Sequence, residues 1–185
     1  SNGGISIMSE LRTNRIVPRD GITSGTGVGG GIIQVKSTTK TDHFDTTSTS
    51  LIDIPGLSVT ITPTRSDSKI LVMCSVNVST DNANFTYLQL VRDSTPIYRG
   101  DSMGSRPRRS AMYYTGASDM NEGMNATRSW NHMDEPATTS ATTYKIQIEC
   151  ATAGNAHVNI SHRNTNSADY DAQLASNITV MEVSG

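Results

Sequence analysis

Residues 56–64, GLSVTITPT, decide the fold class of this chain. Leu57, Val59 and Ile61 alternate with small hydroxyl residues, and the run ends at Pro63, which has no backbone N–H to donate. Alternation with a period of two is typical of a β-strand that has one buried face and one solvated face. Antiparallel sheets commonly show this pattern, so the segment predicts an antiparallel sheet.

Short runs of the same kind continue from residue 32 to the end of the chain, with polar turns between them. They predict strands at about 32–36, 50–54, 57–62, 69–78, 86–92, 95–99, 109–115, 127–133, 142–151, 156–162 and 177–183. No window shows a convincing helical period. The predicted fold class is therefore all-β: an antiparallel β-sandwich or jelly roll with an extended N-terminal arm. The least regular region, 101–128, is predicted to hold long surface loops, where binding sites commonly lie.

The composition limits the partners that the chain can have. Its 185 residues allow one globular unit plus an arm, and with 35% hydrophobic and 5% aromatic residues the core should be thin. The formal net charge is −2 with both signs interspersed, so we expect neither nucleic acid nor an anionic membrane as a partner. No apolar run is long enough to span a bilayer, and no basic stretch precedes an apolar segment, so neither a spanning helix nor a secretory signal is expected.

The N-terminal segment SELRTNRIVPRDG has apolar residues only at Leu11, Ile16 and Val17. Such a segment cannot bury a face by itself, so it is either disordered or ordered by docking on another chain. A glycine run follows and provides slack before the first strand. We therefore divide the chain into an arm with a glycine-rich linker at 1–31 and a β-domain at 32–185.

Three of these glycines, Gly25, Gly27 and Gly30, match the spacing G-x-G-x-x-G of dinucleotide-binding loops. That motif requires a strand before it and a helix after it, because the phosphate sits on the helix N-terminus. Here the glycines precede the β-forming run IIQVK. Phosphate binding is not expected, and no cofactor is predicted.

The two cysteines, Cys74 and Cys150, fall on inward positions of the predicted strands KILVMCSVNV and YKIQIEC. We expect two buried thiols that act as small apolar side chains. A disulfide requires these strands to lie side by side or to face each other, and the sequence leaves that pairing open.

The sequence carries no recognisable catalytic motif. It has no G-x-S-x-G elbow, and no zinc-binding spacing relates its four histidines, His43, His132, His157 and His162. Two pairs of carboxylates have the chemistry of an acid and a base, but acidic loops commonly contain such pairs, and we expect solvated loop residues. These pairs are Asp119 with Glu122 and Asp134 with Glu135. We therefore predict neither an enzyme nor a metal site.

The segment SRPRRSAMYY places three arginines beside two tyrosines. Guanidinium donors together with aromatic faces are typical of sites for sugars or anionic glycans. The alternative is a solvated loop in which Arg106 or Arg109 pairs with Asp101. A second candidate loop or strand, RSWNHMDE, holds the only tryptophan, which is more often a core or interface anchor. The candidate host-contact residues are Arg106, Arg108, Arg109, Tyr113, Tyr114 and Trp130.

The order of several segments resembles a family of bacteriophage virion proteins, common in marine and cyanobacterial phages and usually called tail fibre or fibre-like proteins. The segments are LRTNRIVPRDG, the glycine stretch, TSLIDIPGLSVTITP, YLQLVRDSTPI, and the end from TYKIQIE to MEV. The resemblance spans nearly the whole chain, and residues 101–135 match least.

This resemblance implies a virion-attaching arm and a C-terminal trimeric jelly roll of the complement or tumour-necrosis-factor kind. The least matched segment would hold variable loops that face the target. The anchoring residues of the arm would be Leu11, Arg12, Asn14, Arg15, Ile16, Val17, Pro18 and Arg19. A thin sandwich also gains stability when one face is buried against identical copies, so the composition favours the same homotrimer.

We therefore expect a fibre or appendage subunit on the phage particle surface that contacts other virion proteins of the tail, collar or capsid and attaches to a host surface glycan or protein. One alternative is a capsid decoration, head fibre, or collar or tail adaptor without a receptor role. Another is a soluble lectin-like module. A polysaccharide-degrading enzyme is a further alternative that we do not expect.

Overall fold

The computed structural model describes residues 31–81, 84–115, 125–169 and 171–184, and all regular structure in these ranges is β-strand. The strands are β1 (Ile32–Lys40), β2 (Phe44–Thr46), β3 (Ile52–Ile61), β4 (Lys69–Thr80), β5 (Phe85–Arg92), β6 (Thr95–Ile97), β7 (Ala111–Tyr114), β8 (Ala126–Asp134), β9 (Thr142–Cys150), β10 (Ala156–Val158) and β11 (Ser176–Val183). Their pairings are antiparallel, which confirms the predicted all-β, antiparallel fold class.

The predicted N-terminal arm lies outside the described residues, so its role stays a prediction. This applies to the candidate anchoring residues Leu11, Arg12, Asn14, Arg15, Ile16, Val17, Pro18 and Arg19. Within the part of the chain that the structure describes, no helix has the length and apolarity needed to cross a membrane.

The strands form two sheets. Sheet A has the order β1-β11-β4-β8, and the short strands β10 and β2 extend it beside the C-terminal end of β4. Sheet B has the order β3-β9-β5, with β6 and β7 both paired to β5. Most neighbours within a sheet are far apart in sequence, because the chain passes repeatedly from one sheet to the other. This connectivity is that of a jelly roll.

The core lies between the inner faces of the two sheets, and strand alternation determines which side chains enter it. From sheet A, β4 contributes every second residue, and from sheet B, β9 does the same. These inward side chains are Ile70, Val72, Cys74, Val76 and Val78 on β4, and Tyr144, Ile146, Ile148 and Cys150 on β9. The period-two prediction is therefore confirmed for both strands.

Several elements differ from the sequence prediction, among them β1, which continues to Lys40 where the prediction ended at 36. The two strands predicted around Pro55 and Gly56 are one strand, β3, because Gly56 takes a φ of +79° and lets the extra residues bulge out before pairing with β9 resumes. Strand β2 was not predicted, since three residues are too short to show a period. Strand β10 ends at Val158, so His162 lies beyond it.

Both cysteines are buried and free, as expected, and they lie on different sheets. Burial raises the pKa of the Cys74 thiol to about 12 and also raises that of Cys150. Because the thiolate is the reactive form, neither thiol should react with iodoacetamide in the native protein at neutral pH. Intact mass after native labelling should show no adduct, and two adducts after denaturation. Rapid native labelling, or an oxidised mass, would contradict this prediction.

Candidate functional site

The structure separates the predicted host-contact residues into exposed and buried groups. Arg106, Arg108 and Tyr114 are exposed, whereas Tyr113 on β7 and Trp130 on β8 are part of the core. The prediction of one host-contact loop is therefore wrong for Tyr113 and Trp130, because strand alternation turns their side chains inward. The alternative for Trp130, a strand residue that anchors the core, is confirmed.

Arg109 has a different partner from the one that the sequence offered. Its Nη2 lies 2.6 Å from Oε1 of Glu149 on β9, and Asp101 does not take part in this pair. The guanidinium also lies over the ring of Tyr87, 6.0 Å from its centroid. Arg109 is thus held against the outer face of sheet B by a charge-assisted hydrogen bond and a cation–π contact.

Beside Arg109, aromatic side chains on the outer face of sheet B form what we call the aromatic ladder: Phe85, Tyr87 and Tyr114. Phe85 and Tyr114 are directly opposite in the β5–β7 register, and their ring centroids are 4.4 Å apart. Phe85 and Tyr87 are nearly parallel, with centroids 6.3 Å apart and 9° between their planes. Sequence reasoning missed Phe85 and Tyr87, although their alternation with the inward Leu88 and Leu90 in FTYLQL carries the signal.

Next to the ladder is an open cavity of about 310 Å³, which we call the arginine cavity. Its lining residues are Tyr98, Arg99, Gly100, Arg109 and Ser110. The loop that forms its rim is folded back, since Nε of Arg108 donates a hydrogen bond of 2.6 Å to the carbonyl of Gly100. Tyr98 has a φ of +51°, in the left-handed region that is strained for a non-glycine residue.

The outer face of sheet A has a different character. One residue from each of its four main strands lines up across the sheet: Val35, Met181, Leu71 and Met133, which we call the apolar row. Its two ends are well exposed, with 49% of Val35 and 43% of Met133 accessible. Large contiguous apolar patches on soluble proteins commonly mark a contact with a partner.

The neighbouring rows on this face hold mostly small polar side chains, with Met73 among them. They surround a shallow depression of about 360 Å³ in which Ser75, Ser129 and Asn177 lie beside Met73. The depression adjoins the apolar row, since Met73 is two residues along β4 from Leu71.

A histidine, a serine and an aspartate share one row of sheet A, an arrangement that the sequence did not reveal. His157 on β10 lies opposite Ser79 on one side and Asp45 on the other, and its Nδ1 is 2.8 Å from Oδ1 of Asp45. The Ser79 hydroxyl is buried and donates to the carbonyl of Ile160, not to the histidine. In this geometry the row fastens β2 and the segment after β10 to the sheet, and Ser79 is not placed as a nucleophile. Within the described ranges, no group of acidic, histidine or cysteine side chains is arranged to hold a metal ion.

Asp134 was expected to be a solvated loop residue, and that expectation is wrong. It ends β8, is only 6% exposed, and accepts hydrogen bonds of 2.9 Å from Nη1 of Arg92 and 2.6 Å from the Tyr144 hydroxyl. The register of β8 against β4 turns its carboxylate towards sheet B. The other predicted acidic pair, Asp119 and Glu122, lies outside the described residues.

The fold defines the chain as an antiparallel β-sandwich with jelly-roll connectivity and with two chemically different outer faces. No protein-family model and no curated protein matches its sequence. Among solved structures it is similar to a chain of infectious bursal disease virus, Gx strain, with 14% identity and a TM-score of 0.40 over 94% of this chain and 45% of that one. It is also similar to a chain of T=1 particles derived from infectious bursal virus, with 12% identity and a TM-score of 0.39 over 95% of this chain and 41% of that one. The chain spans less than half the length of either.

Proposed function

We propose that this chain is a structural protein of a bacteriophage particle: a fibre or appendage subunit that is anchored by its N-terminal arm and presents a trimeric jelly-roll head for attachment to the host. Its place is the particle surface, its partners are identical copies and the virion proteins that hold the arm, and it needs neither a cofactor nor catalysis. The resemblance of its segments to phage fibre proteins supports this proposal. The observation that carries it is the apolar row on the outer face of sheet A.

The two outer faces differ in a way that favours sheet A as the contact between copies. On sheet B the outward side chains include ion pairs, such as Lys145 with Asp53 and Arg109 with Glu149, beside the aromatic ladder. On sheet A the apolar row runs unbroken across four strands. When three copies pack these faces around a threefold axis, the apolar row of each copy is removed from water. Because the ring is closed, no apolar row stays exposed to which a fourth copy could add.

Three copies also explain the division of the chain into arm and head. Three arms that leave one head can bind neighbouring positions on the particle, and each bound arm raises the effective concentration of the next. The glycine content of the linker predicts slack that would let these arms reach sites that do not share the symmetry of the head.

The trimer is tested by two matched methionine-to-lysine substitutions. Met133→Lys introduces a charge at the end of the apolar row, whereas Met112→Lys changes a methionine of similar exposure, 53% against 43%, on the outer face of sheet B. We expect the unaltered protein and Met112→Lys to be trimers at micromolar concentration, and Met133→Lys to associate about tenfold to 100-fold more weakly, because a lysine charge must lose its water in the interface. Light scattering coupled to size-exclusion chromatography measures this. An unaltered protein that is monomeric, or a Met133→Lys trimer as tight as the control, contradicts the proposal.

The place in the particle requires a separate experiment. Reconstruction of intact particles should show the jelly-roll head projecting from a fibre or appendage, with the arm at its base. Density of the head lying flat on the capsid or within the collar would favour the decoration or adaptor role. Complete absence of the chain from purified particles would overturn the proposal in favour of a soluble module.

A further inference from the structure

We propose that the outer face of sheet B holds a binding site for an acidic saccharide, with a sugar carboxylate in the arginine cavity and the sugar chain continuing along the aromatic ladder. This inference deepens the proposed function and rests on it for the biological role, because it names the class of host ligand. The binding chemistry itself follows from the side chains of this face.

The first support is the charge at the arginine cavity. Arg99 and Arg109 line the cavity, and Arg108 is bonded to Gly100 at its rim. Glu149 compensates only Arg109, so the cavity keeps a positive charge on a chain whose formal net charge is −2. Arg99 is exposed and has no carboxylate partner within the described residues. A free guanidinium beside a fixed one can bind a carboxylate through paired N–H donors.

The second support is an unused acceptor behind the cavity wall. Gln89 is completely buried, and its amide Nε2 donates to Ser110 Oγ, the cavity residue, at 3.1 Å. Its Oε1 has no hydrogen-bond partner among the described residues. A buried carbonyl oxygen left unpaired costs free energy, and because Gln89 does not itself line the cavity, a ligand hydroxyl would reach this oxygen through a bridging water. The cavity therefore offers cationic donors directly and this acceptor through a bridging water, which matches a ligand with a carboxylate and hydroxyl groups.

The third support is the rigidity of the surroundings. Arg109 is held by Glu149 and Tyr87, and the loop at the rim is held by the hydrogen bond from Arg108 to Gly100. Preformed positions lower the entropy that binding would otherwise cost. Beyond Tyr87 the ladder ends at Tyr114, a residue that is 46% exposed, so a sugar can place its C–H face on an aromatic surface there.

The test uses the full chain and isothermal calorimetry with a short oligogalacturonate as the acidic probe and a glucose oligomer of equal length as the neutral one. We expect binding of the acidic probe only, weakening as salt is added. Arg99→Gln removes the unpaired cation without breaking a described contact and should weaken binding about tenfold. Tyr114→Ser should weaken it several-fold through loss of stacking. The matched control, Arg65→Gln, removes another exposed arginine, paired to Asp67 between β3 and β4, and should leave affinity unchanged.

Several outcomes overturn the inference. They are no binding of oligogalacturonate, equal binding of the neutral oligomer, equal losses in Arg99→Gln and Arg65→Gln, or complete displacement by inorganic phosphate at matched charge, which would mean a simple anion site. Oligomeric state is measured on the same samples. A trimer that does not bind oligogalacturonate refutes this inference and leaves the proposed fibre role intact. A monomer that binds oligogalacturonate supports this inference and refutes the proposed trimeric fibre.

Discussion

Replacing Asp134 with alanine is expected to lower the free energy of unfolding by about 2–4 kcal/mol, because a buried hydroxyl loses its acceptor and a guanidinium that is 26% exposed loses its counter-ion. The substitution leaves the guanidinium of Arg92 and the hydroxyl of Tyr144 without their shared acceptor. Tyr144 is completely buried and Asp134 nearly so, and water cannot easily replace the lost bonds.

The size of this effect follows from the position of Asp134 between the sheets. Its strand, β8, belongs to sheet A, whereas Arg92 ends β5 and Tyr144 lies on β9, both in sheet B. Burial, followed by the hydrogen bond to Asp134, raises the pKa of Tyr144, so the phenol stays protonated and remains a donor at any ordinary pH. The carboxylate therefore fastens the two halves of the sandwich at one end.

The control is Asp67→Ala, which removes the aspartate of the exposed pair that Arg65 makes with Asp67. Surface ion pairs contribute little, so this variant should unfold like the unaltered protein. Both variants are compared by urea denaturation at one fixed protein concentration, because the stability of an oligomer depends on concentration. If Asp134→Ala were no more damaging than Asp67→Ala, the network between the sheets would not be a stabilising element.

The sequence was sufficient for the fold class because period-two alternation is a local property. In the β4 segment KILVMCSVNV and the β9 segment TYKIQIEC, each inward residue is identified by its neighbours alone. The prediction of two buried free thiols followed from the same local pattern. The sequence-based prediction was less successful where one residue breaks the pattern, as at Gly56. The positive φ of Gly56 lets β3 continue through residues that the sequence indicated as a turn.

The sequence identified only part of the candidate site, because the rest depends on which strands are neighbours in the sheet. The cluster of arginines near Arg109 could be seen in SRPRRS, but its partner Glu149 lies on β9, forty residues away. The nearest tyrosine in sequence, Tyr113, points into the core, while Tyr87 on β5 provides the aromatic contact. Register across a sheet is decided by non-local pairing, and a single sequence carries little information on it.

The same non-local register gives the outer faces of the two sheets different chemical characters. In a sandwich each strand buries one side, so the opposite sides of the two sheets are free to differ in chemistry. Sheet A uses its free side for an apolar row, and sheet B uses its own for ion pairs, the aromatic ladder and the arginine cavity. In the proposed trimer, the first face is turned towards identical copies, while the second stays open to a ligand.

Glu182 is the second residue whose replacement should have a large effect, and this effect depends on pH. The side chain is completely buried, and it accepts hydrogen bonds from Gln34 Nε2 at 2.6 Å and from the backbone N and Oγ1 of Thr64 at 2.7 and 2.8 Å. Burial alone would raise the pKa of Glu182, but these hydrogen bonds outweigh it and lower the pKa to about 2 from an ordinary value of 4.5. The carboxylate thus ties β1 and the turn after β3 to β11.

Because the folded pKa lies below the unfolded one, the unfolded chain binds more protons between these two values. The contribution of Glu182 is therefore fully present above about pH 4.5 and is lost as the pH falls through about 2. Its full size is roughly 3 kcal/mol, since one pKa unit corresponds to about 1.4 kcal/mol. Glu182→Gln should remove most of it at pH 7, because the new amide would place its own N–H groups against those of Gln34.

Urea denaturation of the unaltered protein and Glu182→Gln at a series of pH values measures this difference directly. The difference in free energy of unfolding between the two proteins should be largest at neutral pH and should disappear as the pH approaches 2. The effects of the other acidic groups are the same in both proteins and cancel in this difference. Glu135→Gln is the matched control, since Glu135 makes only an exposed pair with Lys69, and it should show little change at any pH. A gap that stays constant down to pH 2 would mean that packing, and not the charge of Glu182, accounts for the loss.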